Sequence, residues 1–180
     1  MRKLLPLLAL CLLAVAPAAR AEAPRGYYRF PALAKDAVLF TAEGDLWAVP
    51  LSGGLARPLT SPPGAETQAA VSPDGRTVAF SAAYEGPVEV FTMPVEGGLP
   101  TRRTFDGQNA TVVGWTPDGR ILYATRRFAT LPATQLVALD PRGGRVERIT
   151  LAQAADGCYS DDGQTFYFTR LPRQGSFMIQ

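Results

Sequence analysis

After its first twenty residues or so, the chain alternates short apolar or β-branched runs with clusters of Gly, Pro, Asp and Ser. Leu46-Trp47-Ala48-Val49, Val88-Glu89-Val90-Phe91 and Leu136-Val137-Ala138-Leu139 form one series of such runs. Val78-Ala79-Phe80, Ile121-Leu122-Tyr123 and Phe166-Tyr167-Phe168 form a second. Runs of this length and composition, bounded by turn residues, predict β-strands. No stretch beyond the N-terminal segment holds a helical period. The mature chain is therefore expected to be all-β.

Two turn motifs recur in step. Ser72-Pro73-Asp74-Gly75-Arg76 returns as Thr116-Pro117-Asp118-Gly119-Arg120 and as Ser160-Asp161-Asp162-Gly163-Gln164, 44 residues apart each time. Gly53-Gly54 with Thr60 returns as Gly97-Gly98 with Thr104 and Gly143-Gly144 with Thr150, at spacings of 44 and 46. In the first motif the hydroxyl caps the turn, Pro presets φ, Asp bonds nearby backbone and Gly accepts positive φ. The Gly-Gly pair closes the next hairpin. Each unit thus carries four strands, one on either side of each turn, which is the pattern of a propeller blade. A sandwich would space its strands similarly without keeping two turn motifs in step. The expected fold is an incomplete β-propeller of four-stranded blades, three near-complete units and part of a fourth. Asp74, Asp118 and Asp162 lack further carboxylates at calcium-ligand spacing, so they read as turn formers.

The N-terminus reads as a signal peptide over residues 1–21, with the partial propeller over 22–180. Arg2 and Lys3 supply the positive start, Leu4 to Ala16 the apolar middle, and Ala19-Arg20-Ala21 the small-x-small cleavage site. The apolar run is shorter than the roughly 20 residues a membrane span needs, so no stable membrane anchor is expected. Leu10 before Cys11 argues against a lipoprotein. Export places the mature chain in the periplasm. Cleavage also changes the charge: of 18 basic residues, Arg2, Lys3 and Arg20 leave, so 15 remain against 16 acidic ones. That balance gives no reason to expect nucleic acid as a partner. Cys158 alone survives cleavage, which excludes an internal disulfide, and it is expected to pack on a strand as a small apolar residue.

Several segments go beyond a generic blade: Gly26-Tyr27-Tyr28-Arg29-Phe30-Pro31, Thr41-Ala42-Glu43-Gly44-Asp45-Leu46-Trp47, Tyr84-Glu85-Gly86-Pro87, Glu89-Val90-Phe91-Thr92-Met93-Pro94, Gly97-Gly98-Leu99-Pro100-Thr101-Arg102-Arg103-Thr104, Trp115-Thr116-Pro117-Asp118-Gly119 and Thr130-Leu131-Pro132. With these, residues 26 to 175 resemble the N-terminal propeller of the tricorn proteases in their exported bacterial form. The Asp-Gly turns alone are shared with TolB-type propellers. The tricorn resemblance implies a large serine peptidase that degrades short peptides, with a six-bladed propeller, a seven-bladed one, then PDZ and peptidase domains. It implies propellers that filter or channel peptides, and a nucleophile far downstream. This sequence stops within its fourth repeat, with an unfamiliar tail at Ser176-Phe177-Met178-Ile179-Gln180, as a fragment, a truncated frame or a broken gene would.

The chain contains no histidine, so a Ser-His-Asp or Cys-His arrangement cannot lie within these residues. A Ser-Lys dyad would need Lys35, which is expected in a turn before Val38-Leu39-Phe40. No catalytic residue, metal site or cofactor is expected. The candidate ligand contacts are Arg102, Arg103, Arg126 and Arg127, whose guanidinium groups could hold a peptide carboxylate bidentately. Neighbours on a strand point to opposite faces, so at most one of each pair can face a tunnel. The alternative is a solvated blade edge. Expected partners are peptides or the remaining domains of a larger peptidase, with homo-oligomers only for the full-length protein. The rival readings are a TolB-like protein-binding propeller without enzymatic role, and a nonfunctional remnant with exposed strand edges.

Overall fold

The computed structural model describes residues 26–61, 63–129, 133–151 and 154–170. The expected signal peptide, Thr130-Leu131-Pro132 and the tail from Ser176 lie outside the described residues. Among those residues the regular structure is entirely β. The first sheet holds β1 (Arg29–Leu33), β2 (Ala37–Ala42), β3 (Asp45–Pro50) and β4 (Arg57–Pro58). The second holds β5 (Glu66–Val71), β6 (Thr77–Ala82), β7 (Glu89–Pro94) and β8 (Thr101–Arg102). The third holds β9 (Ala110–Trp115), β10 (Ile121–Thr125), β11 (Gln135–Leu139) and β12 (Val146–Arg148). A hairpin of β13 (Ala154–Tyr159) and β14 (Phe166–Arg170) follows. Every neighbouring pair is antiparallel and in chain order.

These are the blades of an incomplete propeller, cut at the turns the repeat marks. Ser72 Oγ donates to Asp74 at 2.6 Å and accepts from Thr77 N at 3.0 Å, while Asp74 Oδ1 accepts from Arg76 N at 3.1 Å. Gly75 closes that turn at φ +72°. Ser160 with Asp162 repeats the arrangement, and Thr116 likewise donates to Asp118 but accepts from Arg120 N, one residue earlier, at 2.9 Å. Each hydroxyl-to-Asp bond, the largest cause, holds the Asp carboxyl below its ordinary range. The first blade differs: Ala34-Lys35-Asp36 joins β1 to β2, with Lys35 in the turn as expected, and Glu43-Gly44 joins β2 to β3. Positive φ at both Glu43 and Gly44 (+55° and +98°) gives the twist a two-residue hairpin requires.

The core lies between blades. Val78, Phe80 and Ala82 of β6 pack against Leu39, Leu46 and Ala48 of the first sheet. Ala79, between them on the same strand, packs the other way with Ile121, Tyr123 and Val137 of the third. Leu122, Ala124 and Leu136 then face Ala154 of the last hairpin. A second strand buried on both faces has no solvent side, so β10 is buried at all five positions. Among the described residues the equivalent β14 has a sheet on one face only, and Tyr167 on the other face remains exposed.

Cys158 corrects one expectation. It lies on β13 but is exposed rather than packed, because among the described residues no further sheet covers that hairpin. The first strands sit innermost, since β1 packs on β5, β5 on β9 and β9 on β13. The fourth strands form the outer rim.

Candidate binding site along the blade axis

Each innermost strand breaks its ladder at one place. In β1, Phe30 and Pro31 together stand opposite Phe40, and in β5, Gln68 and Ala69 stand opposite Phe80. In β9 the irregularity falls at Val113, and in β13 at Ala155. Such bulges take residues out of the ladder and re-aim the strand. Pro31 has no N–H to give to a ladder, which suits it to a bulge. Phe30 and Gln68 adopt φ of +50° and +52°, a left-handed conformation that costs a non-glycine residue about 1–3 kcal/mol. Gln68, Val112 and Asp156 are 44 residues apart. Phe30 holds the same place, four residues before Ala34, whose N–H bonds Ala37 O as Ser72 N bonds Thr77 O.

Those four positions line one cavity of about 390 Å³, with Thr111 beside them. Among the described residues its only charged lining group is Asp156, which is exposed and accepts a bond from Gly157 N at 2.8 Å. A second cavity of about 520 Å³ also includes Thr111, and among the described residues its only charged lining group is Arg126. A wider cleft of about 870 Å³ runs between the Asp-Gly turns of the second and third blades. Its charges largely compensate: Arg120 pairs with Asp118 at 2.8 Å and Glu147 at 2.6 Å.

The four candidate arginines fall in different surroundings. Arg102 lies on the rim strand β8, donating to Glu89 Oε1 and Thr104 O, both at 2.8 Å, with Phe105 under its guanidinium. Arg103 ties two blades together through Thr92 Oγ1 at 2.7 Å and Pro141 O at 3.1 Å. Arg127 pairs with the Asp106 carboxylate, which raises the Arg127 pKa and also accepts from Tyr123 OH at 3.4 Å. Arg126 is exposed and makes no ion pair or side-chain hydrogen bond among the described residues. It is the candidate that stands in a cavity next to the axis.

Two buried carboxylates were not singled out from the sequence. Glu66 is fully buried and accepts from Leu46 N at 3.0 Å, from Thr60 Oγ1 and from Tyr84 OH, joining the first blade to the second. Burial pushes its pKa up from the ordinary 4.5, outweighing those three bonds. Glu89, also buried, takes Arg102, Thr104 Oγ1 and Gly107 N at 3.4 Å. The recurring Thr60 and Thr104 were visible. Their acids were not, because Glu66 matches Ala110 in the 44-residue repeat and Glu89, which opens β7, matches Gln135, which opens β11. Among the described residues no three His, Cys, Asp or Glu side chains gather as a metal site would require.

Comparison with known proteins places this architecture. The profile of the tricorn protease N-terminal β-propeller domain matches residues 25–178. Tricorn protease homolog 1 of Streptomyces coelicolor is 38% identical over 132 residues, covering 72% of this chain and 12% of its own. Among solved structures, the tricorn protease superposes with a TM-score of 0.67 at 23% identity, over 76% of this chain and 14% of that one. TolB of Acinetobacter baumannii superposes at 0.69 and 24% identity, over 83% and 39%. At those identities the two structures speak for the propeller fold alone. The chain thus spans about an eighth of the length of its Streptomyces relative. With its in-step turns, four-stranded blades and a profile match over all the described residues, the chain belongs to the family of tricorn protease N-terminal β-propeller domains.

Proposed function

We propose that this chain forms the first blades of the N-terminal propeller of an exported, tricorn-type serine peptidase, and that it gates or scaffolds peptide access rather than cutting. The observation that carries the reading is the axial cavity, into which four innermost strands turn bulged or adjacent residues, next to Arg126, which has no side-chain partner among the described residues. A guanidinium free of internal partners can take a peptide carboxylate through two parallel hydrogen bonds. Arg102, Arg103 and Arg127 are already engaged by protein groups. Catalysis by a histidine-assisted nucleophile belongs to other residues of the peptidase, because this sequence contains no histidine. The segment over residues 1–21 directs the chain to the periplasm.

Calorimetric titration of the full chain with alanine peptides tests the reading. Peptides with a free C-terminal carboxylate should bind about fivefold more tightly than their amides, as an exposed ion pair is worth up to about 1 kcal/mol. Arg126→Gln should erase that preference. Equal affinity for acid and amide in the unaltered chain would sink the carboxylate-anchoring role.

A further inference from the structure

Thr111 belongs to both small cavities, so the axial space and the Arg126 space adjoin at that residue. Among the described residues each has one charged lining group, and the two are opposite in sign: Asp156 on the axial side and Arg126 on the other. A ligand with a cation at one end and an anion at the other matches this arrangement in one direction only. Reversed, it would set ammonium against guanidinium and carboxylate against carboxylate, replacing two attractions with two repulsions. The axial side has further groups suited to an ammonium. Gln68 and Thr111 carry oxygen acceptors there, whereas the Phe30 ring already has the Arg29 guanidinium 5.5 Å from its centroid. The bulges also leave Phe30-Pro31 and Gln68-Ala69 outside the strand ladder, where backbone groups can meet an extended chain.

We propose that short zwitterionic peptides bind across Thr111 in a single direction, with the N-terminal ammonium at Asp156 and the C-terminal carboxylate at Arg126. The inference rests on the peptide-access reading and adds polarity to it: the peptide's amino end enters the axis of the blades and its carboxyl end stays outside. Asp156 is thereby assigned as the residue that reads the amino terminus.

The test uses the full chain and alanine peptides from dialanine to hexa-alanine, each free, N-acetylated or C-amidated, with affinity measured by calorimetry. In the unaltered chain, acetylation should weaken binding about fivefold, the yield of one exposed ion pair. In Asp156→Asn, free and acetylated peptides should bind alike, while the preference for a free carboxylate through Arg126 persists. Asp156 is exposed, so an unchanged melting curve will show that this variant remains folded. If acetylation makes no difference in the unaltered chain, or its penalty survives undiminished in Asp156→Asn, the directional proposal falls and carboxylate anchoring stands. If no free peptide binds, both fall.

Discussion

Replacing Glu66 by glutamine removes a charge from the contact between the first two blades and keeps the side chain's size. The carboxylate is fully buried and has no cationic partner among the described residues, with Asp45 near enough to disfavour the charge further. Taking such an ion out of water costs several kcal/mol in real proteins. Three hydrogen bonds donated to it, from Leu46 N, Thr60 Oγ1 and Tyr84 OH, return roughly 1.5 kcal/mol each. The two nearly cancel, and a residue on the order of 1 kcal/mol opposes the ionised form, in line with the raised pKa. A carboxyl whose folded pKa lies above its unfolded value binds more protons when folded. Stability therefore falls as pH rises from the unfolded value of 4.5 through the folded one. Glu66→Gln mimics the neutral acid, so its melting temperature should match the parent's below that window and exceed it above, by about 2–4 °C for a domain of this size. Glu89→Gln supplies the contrast. Glu89 faces Arg102 at 2.8 Å, and loss of a charge-assisted bond should cost about 1.5 kcal/mol at neutral pH. Melting curves across the pH range, read by circular dichroism, decide the matter. If Glu66→Gln melted below the parent at pH 8 and above it at pH 4, the account of a carboxylate held against its charge would be refuted.

Three further outcomes follow from the same geometry. A methyl group added at Gly157 would meet Phe166 Cζ at 2.5 Å and Tyr167 O at 2.7 Å; Gly157→Ala should cost about 1–3 kcal/mol, and amide exchange should show the β13–β14 hairpin opening first. The turn carboxylates carry the opposite pH sign to Glu66, because their folded pKa values lie below the ordinary 3.8. Their contribution is present above that value and fades as pH falls through the folded ones, so carbon-detected NMR titration should find Asp74, Asp118 and Asp162 below typical aspartates, and ordinary values would contradict the capped turn. Tyr27, Tyr28 and Leu33 at one end and Tyr167 and Phe168 at the other are exposed, so a chain of residues 22–180 should self-associate; a monomer at all concentrations in sedimentation velocity would count against that.

The blade pattern was legible because the forces that set it are local. In the Asp-Gly turns the hydroxyl, Asp and Gly act within five residues of one another, so recurrence of the letters implied recurrence of the hairpins. Two turn motifs in step gave four strands per unit, and the structure has them at those places. The site was less legible, since its groups come together from distant positions. The bonds to Glu66 from Leu46 and Tyr84 span 20 and 18 residues, and Trp115 Nε1 reaches Ala70 O across 45. Four arginines looked equivalent as letters, yet packing engaged Arg102, Arg103 and Arg127 and left Arg126 beside the axis. Cys158 was expected inside because it sits on a strand, but burial depends on whether another sheet covers that strand. Local chemistry in the sequence determined the strands, turns and repeat; the stacking of blades decided which charges are buried, which are paired and which face the axis, because desolvation depends on neighbours far away along the chain.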